Sequence, residues 1–202
     1  MDKRKALKIG LYGLLGLALF LIILNFDLEI ARFVNSFRNP LLDSIMLIVV
    51  KISTPVIVLI PAFFAFRKKK LRNWTISLLA AYLITLSIKL IVGRLRPFEL
   101  GLNTMPGLIE SKYSKWDFSF PSNHASTSLA SFFFIPQGFR WAWAVISVIM
   151  MFSRIYFGLH YLSDLMAGAL IGIGISYVMS KYADRFIEIK FLDRLKYRKA
   201  KK

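Results

Sequence analysis

The chain has 202 residues, 56% of them hydrophobic, and a mean hydropathy of +0.56, so its long uncharged runs indicate a membrane protein rather than a soluble domain. It has no cysteine, which excludes disulfides, thiolate metal ligands and a cysteine nucleophile. The net charge of +17 would favour nucleic-acid binding in a soluble domain, but the basic residues concentrate at the termini and in 67–72. We therefore expect membrane flanks and no nucleic-acid partner.

The hydrophobic pattern predicts an all-α, polytopic membrane bundle of about six transmembrane helices, forming one domain over residues 1–202. The first apolar run is expected to be a retained span, because no small-residue cleavage site follows it. The fourth is short and ends at Pro136-Gln137-Gly138, so hydropathy alone could merge it with the fifth. The predicted spans are 9–26, 41–66, 73–92, 124–138, 141–158 and 162–180.

The basic residues also predict the orientation of the bundle. Four lysines and arginines precede the first span, five separate the second and third, Arg140 follows the fourth, and nine lie in the tail 181–202. These make 19 of the 28 basic residues, so we expect this side, with both termini, to be cytoplasmic in the plasma membrane. The segments 27–40, 93–120 and 158–161, and with them both histidines, then lie at the outer face.

Three further features of the spans have structural interpretations. Gly168, Gly172 and Gly174 predict close packing of the sixth helix inside the bundle. Lys51 lies within the second span and matches no signature, so snorkelling or local pairing is the expected role. The outer loop carries aromatic residues that suit either a lid or lipid-facing floor, or simple interfacial anchors. They are Tyr113, Trp116, Phe118 and Phe120.

Lys89 and Arg96 are seven positions apart, almost two helical turns, and share one face if the helix continues past Gly93. Two cations would then converge at one membrane edge. Snorkelling toward lipid headgroups is the alternative for Lys89, and Arg94 and Arg96 fit it equally well.

The sequence Pro121-Ser122-Asn123-His124 predicts the start of a helix, because a proline and two residues suited to the N-cap stand together. The backbone N–H groups of such a terminus form an anion site. The alternative is a plain helix cap beside an interfacial histidine.

His160 and Asp164 are four residues apart and are predicted to share one helical face. The carboxylate could then accept the Nδ1 hydrogen and leave Nε2 free as a nucleophile or base. Arg154 would lie off that face in a continuous helix, but a break near Gly158 would bring it to the same pocket. A purely structural His–Asp hydrogen bond is the alternative.

In these three motifs the chain resembles the type 2 phosphatidic acid phosphatase superfamily of membrane phosphatases. The resemblance covers 89–164: K-x6-R-P is complete at Lys89, Arg96 and Pro97, P-S-x-H at 121–124, and S-R-x5-H-x3-D at 153–164. One departure is Asn123, where the family usually has glycine. Asparagine tolerates left-handed backbone geometry better than most residues, so we expect activity to survive.

The resemblance implies a chemical role for each matched residue. His160 would attack phosphorus to form a phosphohistidine, Asp164 would orient it, and His124 would protonate the departing lipid oxygen before water hydrolyses the intermediate. The expected phosphate-binding groups are Lys89, Arg96, Ser122, Asn123 and Arg154. Three cations can supply the stabilisation that a metal supplies elsewhere, so no metal or cofactor is expected.

The expected substrate is a membrane lipid phosphate or diphosphate, with an isoprenoid diphosphate such as undecaprenyl diphosphate placed before phosphatidylglycerophosphate and phosphatidate by the resemblance. Transfer of the phosphoryl group to another hydroxyl would use the same residues. An anion or lipid transporter is the non-enzymatic alternative, although transporter charges usually lie near the midplane on broken helices.

Overall fold

The computed structural model describes residues 3–104 and 117–200, with side chains over 10–104 and 117–183. The described residues form α-helices joined by turns and short 3-10 segments, with no strand among them, which confirms the all-α class. The α-helices are α1 (Lys3–Asn35), α2 (Pro40–Phe64), α3 (Lys68–Val92), α4 (Asn123–Leu129), α5 (Arg140–Tyr156) and α6 (Leu162–Ala200). The 3-10 segments are Pro97–Leu100, Phe132–Phe134 and Gln137–Phe139.

Five helical segments of the described chain are long and apolar enough to cross a membrane. They correspond to five of the six predicted spans and lie at Gly10–Asn35, Pro40–Phe64, Lys68–Leu100, Gln137–Tyr156 and Leu162–Ala183. The predicted fourth span, 124–138, differs, because the α-helix there has only seven residues and 3-10 segments follow it.

Side chains of other helices bond the backbone where the fourth helix ends. The carbonyl of Ser128 accepts the indole N–H of Trp143 over 3.0 Å, and the carbonyl of Ala130 accepts the hydroxyl of Ser77 over 2.8 Å. The N–H of Phe133 donates to the hydroxyl of Ser176 over 2.9 Å, so the backbone is satisfied without a continuing helix. Irregular backbone is tolerated at this depth because neighbouring helices surround it.

The fourth segment nevertheless runs antiparallel to α3 along residues 74–85. The side chain of Thr85 bonds that of Asn123, Ser77 bonds the carbonyl of Ala130, and the indole of Trp74 bonds Ser131. The chain therefore passes from the end of α3 back toward its beginning through the interior of the bundle.

Two glycines let α6 approach this buried segment. A Cβ at Gly168 would collide with the carbonyl oxygen of Ser122, and one at Gly172 with that of Ser126, whereas Gly174 has no neighbour within 4 Å. The prediction of close packing is confirmed for Gly168 and Gly172 and is wrong for Gly174.

The first helix is longer than its predicted span. The sequence places Asp27 in an outer segment, but α1 continues through Asp27 to Asn35. Asp27 is buried inside the bundle, where the guanidinium of Arg94 and the N–H of Ser163 contact its carboxylate. The buried charge is tolerated because it is paired and hydrogen-bonded.

Candidate active site

The three predicted motifs meet at one end of the bundle. Lys89 lies in the last turn of α3, Arg96 in the segment after it, His124 in the first turn of α4, and His160 just before α6. The basic cluster 67–72 and Arg140 lie at the other end of these helices. The site is therefore separated from the basic end by the length of α3.

His160 and Asp164 are in contact, although not on a helical face as predicted. His160 lies in the turn before α6, and its Nδ1 is 3.4 Å from Oδ2 of Asp164 in the first turn. The same carboxylate accepts the backbone N–H of Tyr161 over 2.8 Å and the hydroxyl of Ser119. An ionised carboxylate only accepts, so it places the imidazole hydrogen on Nδ1 and leaves the lone pair on Nε2.

The surroundings of His160 disfavour its protonated form. The side chain is buried, and Nε2 lies 3.3 Å from a guanidinium nitrogen of Arg96. Burial, together with the positive charges of Arg96, Lys89 and Arg154, lowers the pKa of His160 well below its usual value. The imidazole is therefore neutral near pH 7, which is the form a nucleophile requires.

Lys89 and Arg96 converge even though α3 ends between them. The helix stops at Val92, and Gly93 adopts a left-handed φ of 61°, so the continuous helix considered for this pair is absent. Asp117 joins them instead, because its Oδ1 lies 3.4 Å from Nζ of Lys89 and 3.0 Å from a guanidinium nitrogen of Arg96.

Both cations also hold the chain that precedes the His124 motif. Lys89 donates to the carbonyl of Phe118, while Arg96 donates to the carbonyls of Asp117, over 2.8 Å, and Leu159, over 2.6 Å. A guanidinium with several donors can orient backbone and also face an anion. The cations thus build the site as well as lining it.

Arg154 reaches the site through the predicted break. α5 ends at Tyr156, Gly158 takes a left-handed φ of 63°, and the N–H of Leu159 returns to the carbonyl of Arg154 over 2.8 Å. The buried Arg154 guanidinium donates to the hydroxyl of Ser53 on α2 over 2.5 Å. Its charge contributes to the lowered pKa of His160, so the two side chains share one electrostatic environment.

Ser122 and Asn123 form the start of α4, as predicted. Ser122 is the N-cap and its N–H donates to the carbonyl of Asp164 over 3.0 Å, which ties the His124 motif directly to the His160 motif. The Ser122 hydroxyl is buried and has no hydrogen-bond partner among the described residues. The side chain of Asn123 accepts from Thr85 over 2.5 Å.

The surroundings of the His124 side chain differ from those of His160. It is partly buried and lines a mostly apolar cavity of about 240 Å³ between α2, α3 and α4. The other lining residues are Thr54, Ile57, Val58, Leu78, Tyr82, Asn123 and Thr127.

The structure adds residues to the site that the motifs did not identify. Arg94 bonds Oδ1 of Asp164 over 2.8 Å and Oδ2 of Asp27 over 2.8 Å, so it is not a snorkelling cation. Ser119 contacts both His160 and Asp164. A buried carboxylate in an apolar helix was the available sequence signal for Asp27, whereas nothing in the sequence singles out Ser119.

Three expectations stay predictions in whole or in part. Tyr113 and Trp116 lie outside the described residues, and Lys51 is exposed on α2, where snorkelling or local pairing remains its expected role. No group of three or more histidine, aspartate or glutamate residues in the described chain could hold a metal ion. Independence from metal stays a prediction.

Comparisons with known proteins agree with this architecture. The sequence profile of the PAP2 superfamily matches residues 70–188. An undecaprenyl-diphosphatase from Sulfolobus acidocaldarius is 28% identical over an alignment of 168 residues, which covers 77% of this chain and 77% of the relative once gaps are left out. A lipid A 4'-phosphatase from Bacteroides thetaiotaomicron is 28% identical over an alignment of the same length, which covers 73% of this chain and 72% of the relative.

A solved structure has the same fold. The transmembrane PAP2 type phosphatidylglycerolphosphate phosphatase from Bacillus subtilis superposes with a TM-score of 0.65 at 20% identity, over 84% of this chain and 94% of that one. The profile match spans more than half of the sequence and includes every predicted site residue. The chain therefore belongs to the PAP2 superfamily and is an integral-membrane phosphatase of that family.

Proposed function

We propose that this chain removes the terminal phosphate of a lipid diphosphate through a phosphohistidine on His160, with an isoprenoid diphosphate such as undecaprenyl diphosphate as its first candidate substrate. Family membership makes the chain a hydrolase of lipid phosphates. The isoprenoid assignment draws on the relative named undecaprenyl-diphosphatase, while phosphatidylglycerophosphate and phosphatidate follow as candidates.

The observation that carries this proposal is the setting of His160. One ring nitrogen faces the carboxylate of Asp164 at 3.4 Å and the other faces the guanidinium of Arg96 at 3.3 Å. The first contact orients the ring and stabilises the positive charge it gains on phosphorylation. The second places a cation where the oxygens of an attacked phosphoryl group would lie.

The proposed reaction has two steps. Nε2 of His160 bonds to the terminal phosphorus while the bond from phosphorus to the bridging oxygen breaks, and His124 gives that oxygen a proton. Water then attacks phosphorus, the phosphorus–nitrogen bond breaks, and His124 accepts a proton from the water as orthophosphate leaves.

The phosphoryl oxygens would contact the groups that surround His160. Lys89, Arg96 and Arg154 supply positive charge, and the buried Ser122 hydroxyl has a free donor for an oxygen of the substrate. In the structure Asp117 bridges Lys89 and Arg96, so a bound phosphate would compete with its carboxylate for the two cations. Stabilisation by fixed cations would require no metal ion.

The cavity beside His124 suits the lipid part of the substrate. Its walls are largely apolar, and it lies between helices long enough to span the bilayer. An alkyl or isoprenoid chain next to the diphosphate could occupy this space while the phosphate reaches His160. We place the site at the outer face of the plasma membrane, since most basic residues lie at the opposite end. Phosphate release from a membrane-impermeant substrate by intact cells would test this orientation.

Phosphate release in detergent, with a chelator present, tests the function. We expect the wild type to release orthophosphate from isoprenoid diphosphate and His160→Ala to lose at least about a thousandfold, because a covalent nucleophile is removed. A substrate panel that includes phosphatidylglycerophosphate and phosphatidate ranks the candidates. Brief incubation with terminally labelled substrate, followed by rapid quenching, should give labelled wild type with acid-labile and base-stable phosphate, and unlabelled His160→Ala.

Three results would count against the proposal. Equal rates for the wild type and His160→Ala would remove the nucleophile assignment. Loss of wild-type activity on chelation would indicate a metal-assisted reaction. Quantitative transfer of label to an added lipid or sugar hydroxyl, without orthophosphate, would replace hydrolysis by phosphotransfer.

A further inference from the structure

We propose that Asp27 is a positioning residue for the reaction, which acts on His160 by sharing Arg94 with Asp164. This inference rests on the proposed function, because it concerns the charge and orientation of the carboxylate behind the nucleophile. Asp27 belongs to α1 and lies before the segment that matches the family profile, residues 70–188.

The geometry forms a continuous chain from α1 to the nucleophile. The guanidinium of Arg94 donates through one nitrogen to Oδ2 of Asp27 and through the other to Oδ1 of Asp164, each over 2.8 Å. The other oxygen of Asp164, Oδ2, faces Nδ1 of His160 at 3.4 Å. Each oxygen of Asp164 thus has a separate task, one toward Arg94 and one toward the imidazole.

Asp27 also fixes the backbone on which Asp164 is mounted. Its Oδ1 accepts the N–H of Ser163 over 3.0 Å, and its Oδ2 accepts the hydroxyl of the same serine. Ser163 immediately precedes Asp164 in the first turn of α6. Asp27 and Asp164 are 2% and 0% exposed, so both carboxylates are shielded from solvent, whereas the Arg94 side chain that joins them is 25% exposed.

Charge gives Asp27 a second effect on the reaction. Two carboxylates and one guanidinium leave the Asp27–Arg94–Asp164 group with a net charge of −1 beside His160. Three cations, Lys89, Arg96 and Arg154, act on the same imidazole from other elements. When Nε2 bonds to phosphorus the ring becomes positive, and a net negative group behind it stabilises that charge. Without Asp27 the group would be neutral and Arg94 would pair with Asp164 alone.

Asp27→Asn tests this role because it keeps the size of the side chain and removes its charge. We expect kcat on the lipid diphosphate to fall between about tenfold and a hundredfold, the usual effect of mispositioning a reacting group. KM should stay within about threefold, because Asp27 contacts none of the proposed phosphate-binding side chains. Asp27→Glu keeps the charge and should recover part of kcat.

Glu29→Gln is the matched control. It lies two residues further along α1, is exposed, and makes the same chemical change, so its kcat should equal that of the wild type. Ser163→Ala removes the hydroxyl bond to Asp27 and the bond that the same hydroxyl accepts from Arg94 over 2.8 Å, but it leaves both ion pairs of Arg94. It should therefore cost less than Asp27→Asn if the ion pair with Arg94 matters more. Thermal unfolding of every variant shows whether lost activity is lost fold.

The double variant Asp27→Asn/Arg94→Gln separates coupling from general damage. If Asp27 acts through Arg94, the kcat of the double variant should be no lower than that of Arg94→Gln. If the loss of the double variant instead equals the product of the two single losses, Asp27 and Arg94 act independently. Wild-type kcat in Asp27→Asn would overturn the inference, as would a changed KM with unchanged kcat. If instead the wild type and His160→Ala release phosphate equally, the proposed function itself fails.

Discussion

The two histidines of this membrane phosphatase lie in contrasting surroundings. His160 is 3% exposed and is held by a carboxylate on one ring nitrogen and a guanidinium at the other. His124 is partly buried and borders a cavity whose other lining residues carry no formal charge. The first setting suits the nucleophile that we propose, whereas the second leaves room for the part of a substrate that departs. The contrast therefore predicts a different role for each histidine.

Replacing His124 should give the largest effect after loss of the nucleophile. We expect His124→Ala to reduce hydrolysis of an alkyl phosphate monoester by about 10²- to 10⁴-fold, the usual contribution of general acid catalysis. The loss should be smaller for p-nitrophenyl phosphate, and for a lipid diphosphate, because their leaving groups depart with less need of a proton. Steady-state rates on the three substrates measure the difference.

His160→Ala is the control for His124→Ala, since its loss should be the same on all three substrates. Equal losses on all three in His124→Ala would place the effect of His124 in the hydrolysis of the intermediate, the step that all three substrates share, and would remove its role in protonating the leaving group.

Disturbing the contact between α4 and α6 should give the next largest effect, because this contact fixes the position of the His124 motif relative to the His160 motif. In Gly168→Ala the new Cβ would meet the carbonyl of Ser122, so α4 must shift. We expect a destabilisation of about 1–3 kcal/mol, typical of overpacking, and up to a hundredfold lower kcat from a displacement near 1 Å. Thermal unfolding and phosphate release measure both.

Gly174→Ala is the matched control on the same helix. Its Cβ would meet nothing within 4 Å, so the helix propensity of alanine should leave stability equal or raise it by up to about 1 kcal/mol. Wild-type stability and kcat in Gly168→Ala would show that the tight contact does not position the His124 motif.

Most of the fold and the central pair of the site could be predicted from the sequence. Apolar runs located five spans, because a helix that crosses the bilayer is recognised by its length and hydrophobicity. The spacing of His160 and Asp164 predicted their contact, although it arises in a turn before α6 rather than on a helical face. The short α4 could not be predicted by hydropathy, because its backbone finds hydrogen-bond partners on other helices, such as Trp143 for the carbonyl of Ser128 and Ser77 for that of Ala130.

Contacts between residues on different helices could not be predicted from sequence spacing. Arg94 looked like one of several interfacial cations, yet it joins Asp27 and Asp164, which are separated by most of the chain. Asp117, which follows both cations in the sequence, likewise bridges Lys89 and Arg96. Spacing rules apply within one helix, whereas these pairs depend on how the helices pack.

The protonation of His160 provides the finest test of the contrast. Burial and the charges of Arg96 and Lys89 lower its pKa, so the neutral form should persist well below pH 6.5. Because the pKa of His160 is lower in the folded state, His160 contributes fully to folding stability only above its unfolded pKa. That contribution is lost as the pH falls toward the folded pKa. If His160 is the nucleophile that we propose, protonation should inactivate it only at a pH well below 6.5. Because the chain has two histidines, nuclear magnetic resonance of ring-labelled His124→Ala reports on His160 alone. A titration midpoint at or above 6.5 would mean that burial and the nearby cations do not lower the pKa of His160. The two histidines would then differ in exposure but not in electrostatic setting.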